Sequence, residues 1–194
     1  MSARGRQSGI ALFMVLVGLI VLTLLGASNL QNALLADRAA RLADDRAMAM
    51  QAAEAALRDA ERDLEGRRAD GAPCVAGTAG CRPAGERPLA GAAGAGLANF
   101  TPGCGSSLSK GQCLRAESDW YPQPPWRDAA LAARAVRYGE YTASPPLPAL
   151  PRQPTYFVEG FRRASSYVFR ITASAEGALP GTRIVLQSVY QIAE

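Results

Sequence analysis

The chain has 194 residues, with 21 basic and 17 acidic side chains and a formal net charge of +4, an excess too mild to argue for nucleic acid as a partner. It contains no histidine, which removes Ser–His–Asp and Cys–His catalysis, HExxH zinc chemistry and histidine proton shuttles together. Aromatic residues make up 7%, against 19 Gly and 13 Pro, a composition that argues against a large aromatic catalytic core; the length fits one domain with an appendage.

The amino terminus, MSARGRQSG, holds Arg4 and Arg6 and no acid, and residues 7–36 carry no charge at all. Within them residues 10–27, IALFMVLVGLIVLTLLGA, include twelve Leu, Ile, Val or Phe. At about −0.3 to −0.6 kcal/mol each when central, these favour membrane insertion by at most about 4–7 kcal/mol. Eighteen helical residues span about 27 Å, near the hydrocarbon thickness of a bilayer. The segment reads as a single transmembrane helix with the basic leader on the cytoplasmic side. Three fates compete: a secretory signal cut near Gly26-Ala27, an uncut signal anchor, and cleavage after Gly9 that leaves the helix on the mature chain. The apolar run exceeds the usual h-region of a signal peptide. Only the third fate accounts for a short basic leader that ends in a small residue directly against the helix.

Residues 28–65 contain neither proline nor glycine and are dense in Ala, Leu, Met, Arg and Glu, all good helix formers. Leu30/Leu34, Leu35/Leu42 and Met50/Leu57/Leu64 fall on slowly drifting stripes. Asp37/Arg41 and Glu54/Arg58 are i,i+4 pairs with the acid first. Asp44-Asp45 reads as solvated helix surface. Gly66 is placed to end the helix. The spacing predicts a membrane helix that continues as a long amphipathic stem.

That object, with its basic leader and Gly9-Ile10 junction, resembles a type IV pilin-like protein. Two longer stretches, QAAEAALRDAE from Gln51 and FRITASAEGALPGTRIVLQSVY from Phe169, are similar to the PilX family of minor pilins. The resemblance covers residues 4–65 and about 156–192. It implies that a prepilin peptidase cuts between Gly9 and Ile10 and N-methylates Ile10. It also implies a contrast: major pilins usually carry phenylalanine first and glutamate fifth in the mature chain, where this sequence has Ile10 and Met14. The glutamate normally pairs with a neighbouring subunit's terminal ammonium, because an unpaired charge in an apolar filament core is costly. A subunit with Met14 there suits the tip, as in the K-type pseudopilin of type II secretion; Met14 as plain lipid-facing filler is the simpler alternative.

From residue 66 to about 112 Gly, Ala and Pro dominate, and GERPLAGAAGAGLANF is close to low complexity. Such a stretch buries little apolar surface and needs order from elsewhere. Its four cysteines, Cys74, Cys81, Cys104 and Cys113, lie beyond the membrane in an oxidising compartment on this reading. Local bridges Cys74–Cys81 and Cys104–Cys113 are the first expectation, with the other two connectivities open. Zinc fits poorly, since the gaps exceed C-x₂₋₄-C and no histidine assists. Residues 120–154 are proline-rich and extended at both ends, with a short helix expected between them from Asp128, a capping residue, through Tyr138.

From residue 156 the pattern turns to β. YFVEGF forms a first strand. Tyr167, Phe169, Ile171 and Ala173 alternate with Val168, Arg170 and Thr172, and Ile184, Leu186, Tyr190 and Ile192 share a face in a third. Three such strands read as an antiparallel meander, covered by the second half of the helix. Arg162-Arg163 reads as a solvated position or a charged strand edge.

The expected fold is α+β and type IV pilin-like: leader 1–9, transmembrane helix 10–27, periplasmic amphipathic helix 28–65, an irregular Gly/Pro/Ala-rich region with four cysteines at 66–155, and an antiparallel sheet at 156–194. The expected protein is a non-enzymatic, single-pass inner-membrane subunit, with its carboxy-terminal domain in the periplasm, that passes into the pilus. It needs no cofactor or metal. The resemblance implies a role in initiating type IV pilus assembly near the tip. The implied partners are other minor pilins, the major pilin, a tip adhesin and the prepilin peptidase. A K-type pseudopilin has little room for its usual large insertion in residues 66–155. A bitopic envelope receptor with an ordinary anchor is the alternative from another class. The mature protein is expected to start at N-methylated Ile10, which intact mass and the terminal peptide of membrane-derived protein check; a terminus near Ser28 would mark a secreted protein instead. Gly9→Val is expected to leave the leader attached.

Overall fold

The computed structural model describes residues 8–75, 77–83, 86, 100–104, 110–116, 132–148, 150–163 and 166–192. One helix, α1 (Ser8–Glu65), is followed by six strands: β1 (Thr101–Pro102), β2 (Gln112–Arg115), β3 (Val136–Arg137), β4 (Thr155–Arg163), β5 (Ser166–Glu176) and β6 (Arg183–Ile192). The chain forms two compact units, Met1–Asp44 and Asp45–Glu194. In the first, every helix side chain described from Ile10 to Asp44 is exposed. In the second, helix residues pack on a sheet.

The helix ends where its backbone needs a left-handed residue. Gly66 has φ +65°; its N–H donates to the Asp63 carbonyl at 3.1 Å, and the Arg67 N–H donates to the Arg62 carbonyl at 2.8 Å. This pair of bonds is a Schellman cap, which satisfies carbonyls the last turn would otherwise leave without partners.

The sheet runs β1-β2-β4-β5-β6, with β3 paired to the start of β4. The three long strands form the antiparallel meander that the sequence predicts, in register from Thr155↔Ser174 to Arg163↔Ser166 and from Tyr167↔Ile192 to Glu176↔Arg183. The sheet as a whole is mixed, because β2 pairs parallel with β4 from Gln112↔Val158 to Arg115↔Phe161, and β1 pairs parallel with β2. A parallel neighbour requires a long return connection, here residues 116–154. Thus β1, β2 and β3 all lie in the stretch read as irregular. β4 is interior as far as Phe161, where its pairing with β2 ends; Arg162 and Arg163 lie past that point, paired with β5 alone, and Arg162 is exposed. The helix expected over residues 128–138 lies outside the described residues as far as 131. Val136 and Arg137 pair antiparallel with Tyr156 and Thr155, and a turn follows, with Gly139 at φ +79°. β pairing suits a β-branched valine better than an isolated short helix does.

The main core joins Ala56, Ala60 and Leu64 of α1 to Tyr156, Val158, Phe169, Ile171 and Ala173 of the sheet, with Phe100 and Val136. A second cluster joins Ala52, Ala53 and Ala175, with Leu147, Leu150, Ile184 and Leu186 against it. The buried helix face is therefore Ala49, Ala53, Ala56, Ala60 and Leu64, at spacings of three and four. Of the large-residue stripe, Leu64 is buried, Leu57 is half-buried and Met50 is exposed. Alanines let the helix lie close to a sheet whose own side chains are large, so the bulk that fills the core comes from one partner only. Ala56→Leu should lower the stability of the full chain by about 1–3 kcal/mol through overpacking, read as a drop in Tm in detergent; Leu42→Ala, on an exposed turn, should leave Tm unchanged.

Candidate functional site

The segment that carries the membrane reading is the first half of α1. It has a mean hydropathy of 2.8 over its most apolar window, and none of that window is buried within the chain. By length and composition it can cross a bilayer. Gly9 and Ile10 lie in its first turns. The Ile10 and Met14 side chains are both 67% exposed, one helical turn apart on the same side. The Thr23 hydroxyl donates to the Ile20 carbonyl at 2.8 Å, so this polar group is satisfied within the helix, as an apolar solvent demands.

The second half of α1 is built differently. Three of its aspartates are buried, and each holds a different distant segment. Asp45, 5% exposed, accepts the Ala178 N–H at 2.6 Å and the Leu179 N–H at 3.1 Å on one oxygen. It is therefore the anchor of the β5–β6 connection rather than solvated surface. Gly177 lies so close that a Cβ there would collide with the Asp45 carboxylate. A hydrogen bond with Thr182 is the strongest influence on this carboxyl and, with the Leu179 and Ala178 amides, holds it below its ordinary pKa against the raising effect of burial.

Asp59 is fully buried. One oxygen accepts the Thr142 hydroxyl and the Ser144 hydroxyl, the latter at 2.6 Å, and the other accepts the Gly139 N–H at 2.8 Å. One turn on, Asp63 forms a two-pronged ion pair with Arg82: Nε to Oδ1 at 2.7 Å and Nη2 to Oδ2 at 2.7 Å. The Tyr156 hydroxyl donates to the same carboxylate at 2.9 Å. Burial raises the Asp63 pKa, and the Arg82 charge offsets this only in part. Burial pulls the Arg82 guanidinium down, but the charge and hydrogen bonds of Asp63 outweigh it, so its pKa rises. The Arg82 guanidinium also lies 4.0 Å from the centre of the Tyr141 ring, a cation–π contact. At the end of α1 the Tyr190 hydroxyl donates to Glu65 at 2.6 Å; this bond, more than burial, pushes its pKa up to about 12.

The four cysteines form two bridges, Cys74–Cys81 and Cys104–Cys113. The first ends one residue before Arg82 and so fixes where that side chain starts. The second ties Cys104, just after β1, to Cys113 in β2 and packs with Phe157 and Ala135. Glu159 approaches Cys104 and Cys113 closely enough to suggest a metal cluster, but the chemistry does not fit. Both sulfurs are spent in the disulfide, whereas metal ligation needs thiolates. Glu159 is already held by Arg115 Nε at 2.5 Å and Arg170 Nε at 2.7 Å.

A helix with an exposed apolar first half and a second half clasped by a small disulfide-bearing sheet is an α+β, pilin-like architecture. Residues 81–192 match the family model for the carboxy-terminal part of the type IV pilus assembly protein PilX, and residues 8–58 match the model for the PilX amino-terminal region. The chain belongs to the PilX family, a family of structural components of type IV pili. No curated protein and no solved structure matches it. The exposed apolar helix fits a membrane-anchored pilus component.

The sequence pattern places Asp45 on solvated helix surface and does not mark Asp59, Asp63 or Arg82. A faint signal exists: Asp59 and Asp63 share the face of Ala56 and Ala60, whereas solvated charge belongs on the other face. The ion pair yields a direct test. Arg82→Met should destabilise the head by about 3–5 kcal/mol, because it leaves a buried carboxylate unpaired. Adding Asp63→Leu to that variant should recover much of the loss; denaturant unfolding of the full chain in detergent reads both.

Proposed function

We propose that this chain is a minor pilin that helps initiate type IV pilus assembly at or near the pilus tip, without enzymatic activity. In this reading a prepilin peptidase removes residues 1–9 and methylates Ile10. The apolar helix holds the subunit in the inner membrane with the head in the periplasm. Extraction into a filament exchanges lipid contacts for helix–helix contacts at little hydrophobic cost, since both surroundings are apolar. Other minor pilins, the major pilin and a tip adhesin are the proposed partners.

The observation that carries the tip assignment is Met14. Residues 7–36 contain no carboxylate, so the mature helix offers nothing in its first turns to neutralise a neighbour's terminal ammonium. A subunit placed beneath another would leave that ammonium unpaired in an apolar core, at a cost no other group in the segment offsets. A subunit at the end of the filament escapes this demand. Deleting the chain should cut pilus number severalfold while leaving the shaft of the remaining pili unchanged, read by electron microscopy of the native host. Labelled protein spread along the shaft at high copy would contradict a tip position. Met14→Glu should disturb initiation at normal membrane levels of the protein; normal levels with normal piliation would reduce Met14 to lipid-facing filler.

A further inference from the structure

The two ends of the sheet differ. One end is β1, two residues long, and the other is β6, ten residues long. Among the described residues β6 pairs with β5 alone, so its outer row of backbone N–H and C=O groups joins no ladder. Exposed edges are usually blunted by lysine, proline, a bulge or shortness, because an open edge recruits another strand. β6 has none of these. It contains no lysine or proline, and its register with β5 is unbroken over ten pairs. Its single charge, Arg183, stands at the first position, and residues 184–192, IVLQSVYQI, are uncharged. Ile184, Leu186 and Tyr190 pack with the core. On the opposite face Gln187, Val189 and Gln191 are exposed, Val189 by 59%.

We infer that β6 is a docking edge, which a different pilus subunit completes by adding an extended, uncharged strand with an apolar side chain beside Val189. The backbone ladder supplies affinity, and alternate side chains set the register. A charged segment would meet no complementary charge along nine residues and would desolvate its own. The inference rests on the reading of the chain as a subunit that assembles with other pilus proteins.

A second copy is the wrong occupant. Antiparallel pairing of β6 with itself places a two-fold axis normal to the sheet. That operation reverses every direction in the sheet plane, including that of the helix turns packed on it. The two copies would then carry their Asp45–Glu65 turns in opposite directions, a constraint that a different subunit escapes.

Photo-crosslinking of the full chain in membranes of the native host tests the edge, with the reactive residue at Gln187 or Val189. Val75, exposed in the Cys74–Cys81 loop, is the control position. The expected result is an adduct at both β6 positions, severalfold above the control, mapped by peptide sequencing to an extended uncharged segment of another pilus protein. A Val189→Lys, Gln191→Lys double variant, at two exposed positions of β6 whose new charges remain in water in the isolated subunit, should keep its membrane level and Tm. It should lose co-purification of that partner severalfold. Adducts confined to this chain or a second copy of it, adducts no stronger than at Val75, or undiminished co-purification by the double variant would each overturn the docking edge. The crosslink reports contact whether or not pili form. Unchanged piliation on deletion of the whole chain would therefore count against the subunit's role in assembly and leave the edge to be decided by the adducts.

Discussion

The fold depends on one helix face that combines small apolar side chains with buried carboxylates. Alanines bring the backbone of α1 close to the sheet, and that closeness removes water from Asp45, Asp59 and Asp63. A carboxylate so placed is tolerated only when other groups bond it. The groups come from three separate stretches: the β5–β6 connection for Asp45, the turn at 139–144 for Asp59, and Arg82 with Tyr156 for Asp63. Each carboxylate acts as a point of attachment with directional bonds, where a purely apolar helix would hold the same segments without fixing their register.

The opposite side of the sheet repeats the device with the buried carboxylate on a strand. Glu159 on β4 is fully buried and is held by Arg115 from β2 and Arg170 from β5. It thereby links three neighbouring strands beneath the Cys104–Cys113 bridge. Two short disulfides serve the part of the chain richest in glycine, alanine and proline, where little apolar surface is available for burial. Constraining the unfolded chain is the stabilisation still open to such a sequence. The Cys74–Cys81 bridge also delivers Arg82 to Asp63, so covalent and ionic restraints act on the same few residues.

These restraints begin at Asp45. Residues 10–44 of the helix make no comparable demands: their described side chains are exposed, and the apolar ones suit lipid or another helix better than water. One secondary structure thus serves two surroundings. Its first half is uncharged and uncovered; its second half is committed to its own head. For a member of the PilX family this division matches the needs of a membrane-anchored pilus component, and the proposed tip role uses the uncharged first half directly.

The sequence by itself determined whatever depends on local pattern. The uncharged run at residues 7–36, the absence of helix breakers to Glu65, Gly66 as the cap and the alternation of Tyr167, Phe169, Ile171 and Ala173 each report a backbone state or a face without reference to distant residues. The family resemblance rested on the same contiguous stretches. Tertiary structure decided the rest, because the signals were weak or non-local. Alanine is too small to mark a face by hydropathy, so the stripe of larger residues pointed to Met50, which is exposed, and away from Ala53 and Ala56. Asp45 looked like half of a solvated pair until a turn more than a hundred residues away closed over it. β1 and β2 carry almost no strand pattern, since a two-residue and a four-residue strand are held by their neighbours' ladder and a disulfide rather than by their own propensity. Contacts of that kind are set by which distant groups meet in space, and no local periodicity encodes them.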